Sequence, residues 1–174
     1  MEKRGLPGSP VIWVLITSEV LVFSAVLCAF LVVRLLRMEE FRTGAHLLHA
    51  GVGTLSMAVL LSSGYLAAKA QQAAERGRIY FLAAAGLGAA FLALKFLEYR
   101  DLSNAPLSFD GNQFFELYFL VTGFHAAHVL FGMMLLLLVS KWPRRDYVQP
   151  AVTFWHMVDL IWVLVFPVVY LVPR

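Results

Sequence analysis

The sequence predicts an all-α integral membrane protein, a bundle of five transmembrane helices forming a single membrane domain over residues 1–174. Three observations carry that reading. The 174 residues are 60% hydrophobic and only 14% charged, with mean hydropathy +0.75, whereas a soluble domain carries about 25% charged residues. The apolar residues gather in five runs, each long enough to cross a bilayer core of about 30 Å at about 1.5 Å per residue. None of these runs alternates apolar and polar residues as the strands of a membrane barrel must.

The helices are expected at about residues 11–36, 46–69, 79–100, 113–140 and 148–172. The first contains Val11–Val33, whose only fixed charge is Glu19. That run is too long for a detachable signal peptide and lacks a small-residue cleavage site after it. The second, Ala50–Ala68, is rich in Ser, Gly and Ala; the third, Ile79 to about Tyr99, is uncharged until Lys95 and Glu98. The fourth has no fixed charge from Leu117 to Ser140, 24 positions. In the fifth, Val148–Val172, only Asp159 interrupts, and Pro167 is expected to kink the helix. The loops at Arg37–Gly44, Gln71–Arg78, Asp101–Gly111 and Lys141–Asp146 are too short to hold an extramembrane domain.

With five spans, one side of the membrane carries Lys3, Arg4, Lys69, Arg76, Arg78, Lys141, Arg144 and Arg145, and the other carries six Lys and Arg with the acidic stretch Asp101–Asp110. The positive-inside rule then puts the N-terminus in the cytoplasm and the C-terminus outside. Trp13, Trp142 and Tyr147 fit as interfacial anchors. The net charge of +3 could suggest a nucleic-acid partner, but the basic residues sit at the ends of apolar runs, which is an orientation signal rather than a phosphate footprint. One cysteine, Cys28, excludes a disulfide framework. Close packing is expected at the second helix (Gly51, Gly53, Ser56, Ser62, Ser63, Gly64, Ala68) and at the small-xxx-small pairs Gly86/Ala90 and Gly123/Ala127.

Ionisable residues at lipid depth are the candidates for function, because an unpaired polar group there costs several kcal/mol. They are Glu19, His125, His128, His156, Asp159, Lys95 and Glu98. His125 and His128 share a helix face, as do His156 and Asp159. Helices four and five are antiparallel neighbours, so Asp159 is expected to accept a hydrogen bond from His125 or His128. The four residues would form one interhelical polar network, structural or proton-relaying. Lys95 and Glu98 are expected to form an outer-end intrahelical pair with the lysine snorkelling. Glu19 has no basic residue within a turn of its own helix, and Thr17, Ser18 and Ser24 offer only weak partners.

The histidines with Asp159 could supply metal ligands, so a self-contained membrane metal or haem enzyme is the rival from another class. Against it, His-x-x-His is weak alone and occurs again at His46–His49. A small proton-coupled transporter is disfavoured because five helices make no inverted repeat.

The segment Thr122-Gly-Phe-His-Ala-Ala-His-Val129 resembles the Thr-Gly-Phe-His-Gly-x-His-Val signature of subunit III of haem–copper oxidases, the cytochrome c oxidase subunit III family. Trp155-His-Met-Val-Asp-Leu-Ile-Trp162 is similar to that family's Trp-His-Phe-Val-Asp-x-Val-Trp, Ser18-Glu-Val-Leu-Val-Phe23 to its Ser-Glu-x-x-x-Phe, and Glu98-Tyr99 to its Glu-Tyr. The resemblance covers all five helices. It implies a non-redox accessory subunit of a respiratory complex, with no chemistry in the isolated chain and no cofactor of its own. Haem and copper or iron would sit in a catalytic haem-containing membrane subunit, the partner in a hetero-oligomer. The family's role implies support of assembly, stability and proton uptake, with Glu19 as the buried carboxyl near a proton or lipid path and phospholipid as a possible ligand. Many members have two further helices that enclose the lipid cleft, and this chain corresponds to the last five. The opening Leu6-Pro-Gly8 with Trp13 resembles the subunit-III-like partners of bacterial nitric oxide reductases, a variant of the same reading.

Overall fold

A run of apolar residues without internal Gly or Pro has nothing to stop it from folding as one long helix, and Val11–Leu36 is such a run. In the computed structural model, which describes residues 10–73, 77–104 and 112–172, it belongs to α1, Pro10–Leu36. Four more long helices follow: α3, Ala50–Gln72; α4, Gly77–Ser103; α5, Gln113–Lys141; and α6, Arg145–Phe166, continued by a π-helical turn at Pro167–Leu171. Five helices are therefore long and apolar enough to cross a membrane, and no strand occurs among the described residues. The Leu6-Pro-Gly8 cue lies outside those residues.

The sixth helix, α2, Met38–Leu47, was expected as loop. Its buried positions are Phe41, Gly44 and Ala45, spaced as one helical face. Glu39 and Glu40 in its first turn suit the positive end of the helix dipole. Phe41 packs edge-on against Phe30 of α1 (5.0 Å between centroids) and Phe114 of α5 (5.4 Å). Gly44 lets this happen: a Cβ there would sit 2.2 Å from the Phe114 ring. The chain turns at Leu48–His49, so α3 begins at Ala50 rather than near residue 46.

Helices α3, α4, α5 and α6 pack as a ring in that order, α6 closing back on α3, while α1 lies outside against α5 and α6. The small residues of α3 that matter are Gly53, Ser56, Ser63, Gly64 and Ala67, all buried. The expected small-xxx-small contacts are corrected by the structure. Nothing lies within 4 Å of a Cβ built on Gly86 or Gly123, whereas at Gly132 it would come 2.6 Å from the Trp155 ring. Close approach thus follows where a large α6 ring must be received, not the spacing of small residues. Ser63 donates to the Ala84 carbonyl at 2.7 Å and accepts from the Trp155 indole N–H at 3.2 Å, joining α3, α4 and α6.

Pro167 has no N–H to give, and the helix does not simply bend there. It widens into the π-turn, in which the Val172 N–H reaches the Pro167 carbonyl at 3.0 Å. The extra residue per turn leaves Val169 and Tyr170 buried.

Candidate functional site

The ionisable residues at lipid depth fall into three separate groups. The first lies at the α1–α5 seam. Glu19 Oε2 is 3.0 Å from His128 Nε2, and His128 Nδ1 is 2.8 Å from the Phe124 carbonyl oxygen. A carbonyl only accepts, so Nδ1 carries a proton. Nε2 then faces the carboxyl in one of two ways: as an acceptor from a protonated Glu19, or as the second N–H of an imidazolium beside an ionised one. Either way the pair holds one proton between two atoms and is neutral overall. Thr17 and Ser18 turn their hydroxyls to their own backbone, at 2.8 Å from the Trp13 and Leu15 carbonyls. The partner that Glu19 lacks on α1 is supplied by α5. One turn on, Phe23 stacks beside Phe124 (5.0 Å) and meets the edge of His128 (5.3 Å), fixing the seam.

The second group ties α4 to α5 and the π-turn. Lys95 Nζ donates to Glu98 Oε2 at 2.6 Å, and the Tyr170 hydroxyl donates to the same oxygen at 2.7 Å. Lys95 also donates to the Tyr170 oxygen, and the Tyr118 hydroxyl is 3.2 Å from that of Tyr170. The ammonium lies 4.6 Å from the centre of the Trp162 ring system, a cation–π contact that strengthens where water is excluded. The expected intrahelical pair is present, but the snorkelling lysine is not. The Lys95 side chain is 1% exposed, wrapped by Trp162, Tyr118 and Tyr170. Nearby Tyr99 donates to Thr122 at 2.8 Å, which donates to the Tyr118 carbonyl at 2.6 Å.

The third group lies between α3 and α6. Asp159 Oδ2 is 3.6 Å from His156 Nδ1 on its own helix, an ion contact longer than a hydrogen bond. It presses against Gly64, where a Cβ would be 2.1 Å away. The expected bond from His125 or His128 to Asp159 is not formed: His128 is engaged by Glu19, and Asp159 faces α3. His125 is fully buried, stacked on Trp162 at 4.9 Å and edge-on to Phe91 at 5.6 Å, with neither ring nitrogen hydrogen-bonded among the described residues. The single four-residue network therefore separates into His128 with Glu19, Asp159 with His156, and His125 within an aromatic cage. Among the described residues no three His, Cys, Asp or Glu side chains gather as a metal-binding group.

Residues 4–173 match the sequence profile of cytochrome c oxidase subunit III. The chain belongs to that family. It is 30% identical to the haem–copper oxidase subunit I+III of Aeropyrum pernix over 92% of its own length and 22% of the longer protein, so it spans about a fifth of that fused chain. It is 30% identical to a cytochrome c oxidase subunit 3 of Corynebacterium diphtheriae (76% of this chain, 71% of the relative) and 28% identical to one of Thermostichus vulcanus (92% and 85%). The four motifs quoted above contribute residues to all three groups. Ser18–Phe23 and Thr122–Val129 make the seam; Glu98-Tyr99 and Trp162 contribute to the lysine clamp; Trp155–Asp159 packs against α3. The subunit III chain described here is a multi-pass membrane protein. Sequence reasoning did not find Tyr118, Tyr170 or α2. Tyr118 and Tyr170 had a signal, hydroxyls inside apolar runs, but only the fold tells which cation they meet.

Proposed function

We propose that the chain is the non-redox, subunit III-like accessory member of a haem–copper oxidase complex, packed against a catalytic membrane subunit that holds the haem and copper. It supports assembly, stability and proton uptake during aerobic electron transport, in a bacterial cell membrane with its N-terminus in the cytoplasm. The observation that carries this beyond family membership is the Glu19–His128 pair. Its side chains are 22% and 14% exposed at a depth where the surroundings are acyl chain or protein. A polar pair that its own chain leaves partly open is one that a neighbouring subunit or lipid completes. With one proton shared between two atoms, it is also suited to exchanging a proton with whatever covers it. The names of the relatives favour oxygen rather than nitric oxide as the acceptor.

The test is purification of the native complex in mild detergent. A large subunit with haem absorption bands is expected to co-purify. Glu19→Ala is expected to lower either its recovery or the rate of proton uptake by the complex. A chain that runs alone, with no haem-bearing partner and full activity in some assay, would overturn the reading.

A further inference from the structure

Where α3 and α5 end and α4 and α6 begin, the four helices leave a cleft of about 720 Å³. Its charge is one-sided. Arg78, the second residue of α4, and Lys141, the last of α5, line it, and none of the described residues around it is acidic. Neither cation forms an ion pair among the described residues. Three glutamines, Gln71, Gln72 and Gln149, share the wall, and their side-chain amides find no partner there either. The buried ring of Phe81 gives the cleft an apolar floor. An amide side chain both donates and accepts. An acceptor-only anion would use the two cations and the amide N–H groups and leave three carbonyls to water. A polypeptide segment brings N–H groups as well, along with carboxylates for the cations, and so matches both kinds of group in the wall.

We propose that this cleft docks an acidic segment of the catalytic subunit, an Asp or Glu of which pairs with Arg78 and Lys141 while its backbone bonds the glutamine amides. The inference rests on the reading that the chain works inside a larger complex. It adds a second point of attachment, at the end of the bundle and apart from the Glu19–His128 seam. Charge pairs of this exposed kind steer a partner and fix its register more than they add affinity, and salt screens them.

The experiment is cross-linking of the native complex in mild detergent with a water-soluble carbodiimide, which joins an amine to a carboxylate in contact with it. Peptide mapping is expected to show Lys141 joined to an Asp or Glu of the co-purifying large subunit. Lys141→Arg keeps the charge but lacks the amine, and should abolish that link. Arg78→Lys should add a second link, from position 78 to the same acidic segment. Arg78→Gln combined with Lys141→Gln should speed dissociation of the complex by up to about 25-fold, about five-fold per cation, and make it less dependent on salt. Both residues are exposed near helix ends, so the variants should fold. A co-purifying subunit with no link from position 141, nor from position 78 in Arg78→Lys, would overturn the proposal and leave the accessory-subunit reading standing. So would links confined to acids of the chain itself, or loss of the link on adding phosphatidylglycerol, which would give the cleft to a lipid headgroup. If no subunit co-purifies, both readings fall.

Discussion

Two polar pairs at membrane depth are built in opposite ways. Lys95–Glu98 is closed: one helix supplies both charges, Tyr170 caps the shared oxygen, and aromatic rings cover the ammonium. Glu19–His128 is open: two helices supply one group each, and both side chains remain partly exposed. The closed pair is wrapped by its own chain, with only Glu98 Oε1 left without a hydrogen bond among the described residues, whereas the open one can accept a neighbour. Depth alone therefore does not mark function; the degree to which the chain finishes its own polar contacts does.

The contrast breaks most visibly at Glu98. Glu98→Ala strands the Lys95 ammonium, and losing one member of a buried pair costs about 3–5 kcal/mol. Unfolding in a denaturing detergent should show that loss, and Lys95→Met with Glu98→Leu should recover most of it. At Gly64, Gly64→Ala pushes a methyl group to within 2.1 Å of the Asp159 carboxylate, an overpacking expected to cost about 1–3 kcal/mol. Asp159→Ala in the same background should relieve it if that contact is the cause. Tyr170→Phe removes only the capping hydroxyl, and a loss of about 1–2 kcal/mol is expected in the same assay.

At the open pair the effect on stability should be smallest. Glu19→Gln keeps a donor facing His128 Nε2, so less than about 1 kcal/mol should be lost. Proton uptake by the complex should slow. If Glu19→Gln destabilised the chain as much as Glu98→Ala does, the distinction between the pairs would fall.

Much of this arrangement was legible in the residues. Spanning helices announce themselves by length and lack of charge, and the five spans were placed within a few residues because nothing polar competes with that signal. Helix α2 was missed although Phe41, Gly44 and Ala45 fall on one helical face, because its ten residues are too few to register among runs long enough to span a membrane. The closeness of Lys95 and Glu98 follows from helical spacing, but burial of the lysine depends on Trp162 and Tyr170, more than sixty positions away. The partner of Glu19 was obscured for the same reason: it lies 109 residues along the chain. Pairing Asp159 with a histidine of α5 took neighbouring helices to be facing helices. Rotation about the α6 axis turns that carboxylate to α3 instead, and only Gly64 hints at it.

The π-turn has a consequence for how the chain is made. Tyr170 is translated 75 residues after Lys95, so during synthesis α4 enters the bilayer before its phenol exists. What accompanies the ammonium into lipid is the carboxylate three residues on, carried in the same turn and leaving the emerging segment electrically balanced. The closing hydroxyl arrives last, as a latch dropped on a lysine already in place.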